Sequence, residues 1–400
     1  MQIVREEGDL NQEKLMTVPN DEEAAKKSSP IDLNRRQFFK RVGFIGAGAA
    51  GAAMADRFLL HPDEAVEAAQ FNLSATPGTI QPDAESNSTG NTTSGEIPRR
   101  PLGRTGVKVS AIGLGGATLG KAKSLDEAIR IAHEAIDAGV TFMDNAWEYN
   151  DHRSEEWMGQ ALQGRRDKVF LMTKVCTHGR DRQVGMQQLE ESLRRLKTDH
   201  LDLWQIHEVI YYNDPDLIFR PGGVIEALDQ AKRQGKVRFV GFTGHKDPAI
   251  HLKMLSHGYP FDTVQMPLNC FDATFKSFEQ QVLPEVNRRG MAAIGMKSLS
   301  GNGDAIKNGI ITPQEALRYA MSLPVVTTVS GIDSLEVLRQ NLAVARGFKP
   351  MVEAQMQALR SRCASYASDG RFELFKSSKK FDADVGRSQH GFPPQQQLET

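Results

Sequence analysis

Residues 141–149 read TFMDNAWEY. The first half has the β-branched and aromatic residues that favour a buried strand. An aspartate then stops the run at 144, and a tyrosine follows five positions later. A lone carboxylate is costly to bury, so the acid marks the strand end as a rim or a cleft. Whether the chain repeats this pattern decides the fold.

The pattern recurs. Strand-like apolar runs, most of them ending in polar residues, occur at SAIGLGG (110–116), VTFMDNA (140–146), VFLMTKV (169–175), LDLWQIHEV (201–209), VRFVGFTG (237–244), TVQMPLN (263–269), MAAIGMKS (291–298) and VVTTVSG (325–331). Between them lie amphipathic stretches with helical spacing, among them 124–139, 182–196, 222–235 and 312–323. Several open on Ser, Thr or Asp and close on Gly or basic residues, as helix caps do. Eight β/α units in succession predict an α/β fold, a closed (β/α)8 TIM barrel. PRRPLGRTGVKVS (98–110) predicts a hairpin ahead of the first barrel strand. The expected organisation is a signal region over 1–69, a flexible linker over 70–96, the barrel over 97–367 and a polar tail over 368–400, loosely ordered from 376.

The chain of 400 residues carries 49 basic and 50 acidic side chains, a net charge of −1. Such a balance sets up no global field for nucleic acid or an anionic membrane. Its three cysteines, Cys176, Cys270 and Cys363, form no CxxC pair, so neither a metal site nor a disulfide framework is expected, only buried, inert thiols. Near the N-terminus, NRRQFFK (34–40) precedes the fourteen-residue apolar run VGFIGAGAAGAAMA (42–55). That run is too short to span a bilayer, so stable membrane insertion is not expected. A charged segment before a short apolar one has the layout of a signal peptide, and Arg35-Arg36 resembles the twin-arginine export motif. The expected partner is the twin-arginine machinery and the expected location periplasmic or extracytoplasmic. Gly46, Gly48 and Gly51 also fit G-x-G-x-x-G, but no strand precedes the acids Asp63 and Glu64, and a polar linker follows. A dinucleotide fingerprint needs that strand, so a Rossmann dehydrogenase built on Gly46–Gly51 stands only as a third reading.

Barrel enzymes carry their chemistry at the C-terminal ends of strands. Asp144 and Tyr149 follow the second barrel strand, Lys174 ends the third and His207 ends the fourth. Singly, each is an ordinary cap or core residue. Together they equip one rim for hydride chemistry at a carbonyl. A phenol is the proton donor, and a nearby ammonium is expected to lower its pKa. An aspartate holds that ammonium, and a histidine lines up the carbonyl oxygen.

Asp144, Tyr149, Lys174 and His207, at spacings of 5, 25 and 33, resemble the catalytic tetrad of the aldo/keto reductases. FMDNAWEYNDHRSEEWMGQAL and LGRTGVKVSAIGLGG resemble that family's signature segments, over residues 97 to about 345. The resemblance implies a barrel floored by the hairpin and reversible, nicotinamide-dependent reduction of an aldehyde, ketone or sugar-like carbonyl. By the same resemblance, Asp144, Thr243, Gln265 and Met296 contact the nicotinamide. Lys297, Leu299 and Gly301 form the pyrophosphate loop, and Gly331, Asp333, Gln340 and Asn341 face the adenosine. Gly244 stands where the family has an asparagine, with His245 as a possible substitute. Ile332, Asp333 and Ser334 occupy the place of the basic residues that hold a 2′-phosphate, which tilts the expected cofactor, NAD or NADP, slightly towards NAD. A non-catalytic nicotinamide-binding partner subunit is the competing function. Trp147, Tyr211, Tyr212, Phe219 and Phe271 are either substrate surface or packing.

Overall fold

A computed structural model describes residues 95–301, 303–389 and 391–397. The twin-arginine segment, the Gly46–Gly51 run and residues 70–94 of the linker lie outside them. Strand β1 (Arg99–Pro101) pairs antiparallel with β2 (Lys108–Ser110), Arg99 opposite Ser110. Gly103 and Gly106 take positive φ in the turn between them. A Cβ on Gly103 would lie 2.8 Å from the Gly290 carbonyl oxygen, so only glycine lets the hairpin reach the barrel.

Eight parallel strands follow: β3 (Ile112–Gly115), β4 (Phe142–Asp144), β5 (Phe170–Val175), β6 (Leu201–Ile206), β7 (Val237–Thr243), β8 (Thr263–Pro267), β9 (Ala292–Met296) and β10 (Thr327–Gly331). They pair in chain order, and β10 closes on β3 with Ser330 beside Leu114. The barrel and its hairpin are as expected, with each strand shorter than the apolar run that contains it. Leu102 and Val109 of the hairpin pack with Phe142, Phe170, Met172, Leu203 and Ile294, which plug the barrel's lower end. Chemistry is thereby confined to the upper rim.

The helices obey their caps. In Leu125–Asp137, Ser124 accepts from the Glu127 amide and the first turn is acidic. Its buried Ala128, Ile131, Ala132, Ala135 and Ile136 form one stripe. Burying a side chain such as Ile131 stabilises the fold by about 1.5–3 kcal/mol. Thr312 and Glu315 form a capping box ahead of Pro313–Ser322. Among the described residues, no helix is long and apolar enough to cross a membrane.

The C-terminal segment departs from the loosely ordered tail expected of its composition. After helix Glu353–Ala367 the chain turns through Leu374–Ser377 and Asp384–Gln389 and buries Phe375, Lys376, Asp382 and Arg387. The Lys376 ammonium donates to Asp272 (2.6 Å), Glu373 (2.9 Å) and the Phe275 carbonyl (2.8 Å). Lys246 donates to Asp382 at 2.6 Å. These polar side chains bury charge in pairs, which composition alone does not reveal.

Candidate active site

Register places the reactive groups. Gly115 pairs with Asp144 and Lys174 with Gln205, so Asp144 and Lys174 rise from adjacent strands at the same end. Both are almost fully buried. The Lys174 ammonium lies 2.9 Å from each Asp144 oxygen and 2.7 Å from the Asn145 carbonyl. Its remaining neighbour is the Tyr149 hydroxyl, at 3.3 Å. His207 meets the Tyr149 ring edge-on, with 5.5 Å between ring centres. The four side chains named from the sequence thus converge on one rim.

Their protonation differs from the expectation in one respect. Burial and the carboxylates of Asp144, Glu148 and Glu208 push the Tyr149 hydroxyl well above the ordinary phenol range, although Lys174 was expected to lower it. Tyr149 therefore holds its proton. Burial takes His207 down to about 3, which keeps its ring neutral.

The cavity beside them has a volume of about 530 Å³. Tyr149, His207, Thr243, His245, Met296 and Lys297 line it from the barrel, and Lys380, Phe381 and Ala383 from the tail. None of Trp147, Tyr211, Tyr212, Phe219 or Phe271 lines it. Phe271 is core, Phe219 stacks on His257, Tyr211 stacks on Phe392, Trp147 donates to Glu191, and Tyr212 is exposed and donates to Asp247.

The chain fits the nicotinamide end of a dinucleotide. Gln265 donates its amide to Asp144 at 3.0 Å, and its carbonyl oxygen is buried without a partner. His245 also keeps a buried, unpartnered Nε2. The Met296 thioether lies 4.0 Å from the Thr243 hydroxyl. Gly244 has a steric cause: a Cβ there would stand 2.2 Å from the Val209 carbonyl oxygen, so asparagine is excluded. Further out, Lys297, Ser300 and Gly301 take positive φ in the loop that also holds Leu299. Phe375 lies against Gly301 and under the Lys297 ammonium, 5.0 Å from the ring centre. Burial lowers Lys297 to about 8. Gly331, Asp333 and Gln340 are exposed, whereas Asn341 is buried and donates to Ser330 at 3.0 Å. Ser334 caps the helix Leu335–Ala345.

Sequence reasoning missed the support behind the rim. Arg180, fully buried, pairs with Asp214 at 2.9 Å and donates to the His207 and Glu208 carbonyls at 2.8 and 2.7 Å. It thereby fixes the turn that carries His207, where Glu208 has positive φ. Glu148 and Glu208 line the cavity with His207, Cys176 and His178 adjoin them, and none was singled out as a site residue. The signal available was the density of polar residues in CTH and HE just after two strands.

The model of the aldo/keto reductase family matches residues 111–303. The oxidoreductase YqkF of Bacillus subtilis, itself uncharacterized, is 27% identical over 305 residues, 66% of this chain and 95% of its own. The uncharacterized oxidoreductase YrpG of the same organism is 30% identical over 52% of this chain and 69% of its own. In three dimensions, an aldo/keto reductase from Klebsiella pneumoniae, solved with NADP and acetate, superposes with a TM-score of 0.55 at 22% identity, over 67% of this chain and 96% of that one. Barrel, rim and matches together define an oxidoreductase. The chain belongs to the aldo/keto reductase family.

Proposed function

We propose that the protein catalyses reversible, nicotinamide-dependent reduction of an aldehyde, ketone or sugar-like carbonyl, with Tyr149 as the general acid and base. The observation that carries this reading is the contact of the Lys174 ammonium with both Asp144 oxygens and with the Tyr149 hydroxyl. A nicotinamide dinucleotide, when bound, supplies or accepts the hydride.

The chain supplies the rest. Tyr149, held in its protonated form, gives its hydroxyl proton to the carbonyl oxygen during reduction and takes it back during oxidation. Help of this kind is worth about 10²–10⁴-fold. Lys174, held by Asp144, donates to the phenol oxygen and so stabilises the phenolate left when the proton has moved. His207, neutral in its ring, orients the carbonyl oxygen. Gln265, Thr243, His245 and Met296 suit the nicotinamide end, and the tail residues Lys380 and Phe381 narrow the water's access to the cavity. Loop 297–301 and the exposed Asp333 and Gln340 are proposed for the pyrophosphate and adenosine.

The dinucleotide is NAD or NADP. The slight tilt towards NAD rested on Asp333, and the comparisons lend it no support, since the Klebsiella neighbour was solved with NADP. Arg339, a possible partner for a 2′-phosphate, is held by Glu134 at 2.8 and 3.0 Å. Export by the twin-arginine pathway is proposed from Arg35-Arg36 and the apolar run after them. Retention of Arg35→Lys/Arg36→Lys protein in the cytoplasm, with wild type outside it, is the expected outcome. The activity is tested by incubating purified protein with NADH or NADPH and a panel of aldehydes and aldoses. Oxidation of the dinucleotide with formation of the alcohol is expected. Dinucleotide binding without turnover of any member would favour the partner-subunit reading.

A further inference from the structure

The three cysteines are free thiols, and all are buried. Cys176 lies against His178, its Sγ 3.3 Å from Nε2. The other two face each other. Cys270 sits in the turn after β8 and Cys363 in the helix Glu353–Ala367, 93 positions apart, with their Sγ atoms 3.1 Å from one another. Both are fully excluded from solvent. We propose that Cys270 and Cys363 are a disulfide-forming pair, whose oxidation ties the C-terminal helix to the barrel by a covalent bond.

Separation supports this first. Non-bonded carbon atoms settle at about 3.5–4.0 Å. Sulfur is larger, so two sulfurs at 3.1 Å stand closer than packing requires. A disulfide bond is about 2.05 Å long, so closing the gap takes about 1 Å of movement shared between two side chains. Both backbones are anchored on either side of it. Asn269, next to Cys270, accepts from the Phe271 and Asp272 amides at 2.9 and 3.1 Å and donates to Glu373 at 3.0 Å. One turn before Cys363, Arg360 donates to the Tyr319 hydroxyl and to Glu279, each at 2.8 Å.

Reactivity supports it second. The hydrogen bond from Cys270, and beyond it the Arg362 guanidinium, hold the Cys363 thiol below its usual value against the effect of burial. The same hydrogen bond and burial push Cys270 up. Cys363 is thus the sulfur that ionises and attacks. With a small organic disulfide as oxidant, the Cys363 thiolate attacks one of its sulfurs and expels the other as a thiolate. Cys270 then loses its proton, attacks the Cys363 sulfur and expels the second. Two protein thiols become one disulfide, the oxidant's disulfide becomes two thiols, and both protons end on them. Oxidising conditions of this kind hold outside the cytoplasm, where the proposed export takes the chain.

The bond fastens the root of the tail. Beyond Cys363 the chain runs through Phe372, which packs on Phe271 with 5.4 Å between ring centres, to Phe381 on the cavity wall. Cross-linking two positions this far apart restricts the unfolded chain more than the folded one, so the oxidised protein should unfold at a higher temperature. Neither the bond nor its effect depends on carbonyl reduction, and both are read without turnover.

The test is exposure of the full-length protein to oxidised glutathione, in buffer and in urea below its unfolding transition, where buried segments open locally. The protein is then denatured, its remaining thiols are alkylated, and its peptides are mapped by mass spectrometry. Cys176 alone should be alkylated, and a peptide pair joined through Cys270 and Cys363 should appear. Tm should exceed that of protein kept in dithiothreitol. Cys176→Ser should keep the linked pair and the difference in Tm, and Cys270→Ala should lose both. If Cys270→Ala fails to fold, the wild-type peptide map decides alone. Alkylation of all the cysteines under both conditions, glutathione retained on Cys363, or a bridge to Cys176 would overturn the proposal whether or not the protein turns over a carbonyl.

Discussion

The Lys174 ammonium and the Tyr149 hydroxyl stand 3.3 Å apart, and the same ammonium donates to both Asp144 oxygens and to the Asn145 carbonyl. The pair ties stability to catalysis, because the ion that positions the phenol is itself buried and held by Asp144 alone among the side-chain charges it contacts.

Lys174→Met should therefore harm both. It leaves Asp144 buried without its cation, a loss of about 3–5 kcal/mol for a broken buried pair. Thermal unfolding should show a clear drop in Tm, and kcat/KM for carbonyl reduction should fall by about 10² or more. An unchanged Tm would mean that the pair is not buried in solution.

Reduction should be insensitive to pH across the neutral range. Tyr149 acts in its protonated form, and its pKa lies above the ordinary phenol value, so the alkaline limb of kcat/KM should appear only beyond about pH 10. His207, with its value near 3, is neutral throughout. A limb between pH 6 and 9 that disappears in Tyr149→Phe would show the phenol to be far more acidic than its burial implies.

The tail clamp should weaken as pH rises. Burial lifts Glu373 to about 7, with Lys376 opposing and Asp272 adding to the rise. The folded state then binds a proton that the unfolded chain has released, between the ordinary carboxyl value near 4.3 and about 7. The contribution from Glu373 is full below that window, declines through it and is flat above. Glu373→Gln should flatten this part of the stability-against-pH curve, read by urea unfolding at several pH values. An identical curve in the variant would remove Glu373 as its source.

Gly244 should not accept a side chain. A Cβ 2.2 Å from the Val209 carbonyl forces the backbone behind His207 to shift. Overpacking of this kind costs about 1–3 kcal/mol, so Gly244→Ala should lower Tm, and Gly244→Asn, despite resembling other members of the family, should lower it further. A wild-type Tm in Gly244→Ala would show that the contact relaxes freely.

What the sequence revealed followed from periodicity. Eight apolar runs alternating with helical stretches are enough to place Asp144, Lys174 and His207 on one rim, because strand ends in a parallel barrel share a face. What it concealed depends on contacts between distant positions. Gln265 reaches Asp144 across 121 residues, and Lys376 reaches Asp272 across 104. No local pattern marks such pairs. The tail looked unstructured because Lys376, Asp382 and Arg387 are charged, although each is buried with partners. The phenol's proton affinity was misjudged because the spacing shows that a lysine is near, but not how deeply Tyr149 is buried or that Glu148 and Glu208 face it beside Asp144.

The central claim is that Tyr149 moves a proton and does not hold the cofactor. Its most direct test is Tyr149→Phe, assayed for dinucleotide binding by fluorescence quenching and for reduction of a substrate that wild type accepts. Binding within about twofold of wild type and a loss of roughly 10²-fold or more in kcat are expected. Near-normal turnover by the phenylalanine variant would contradict the account.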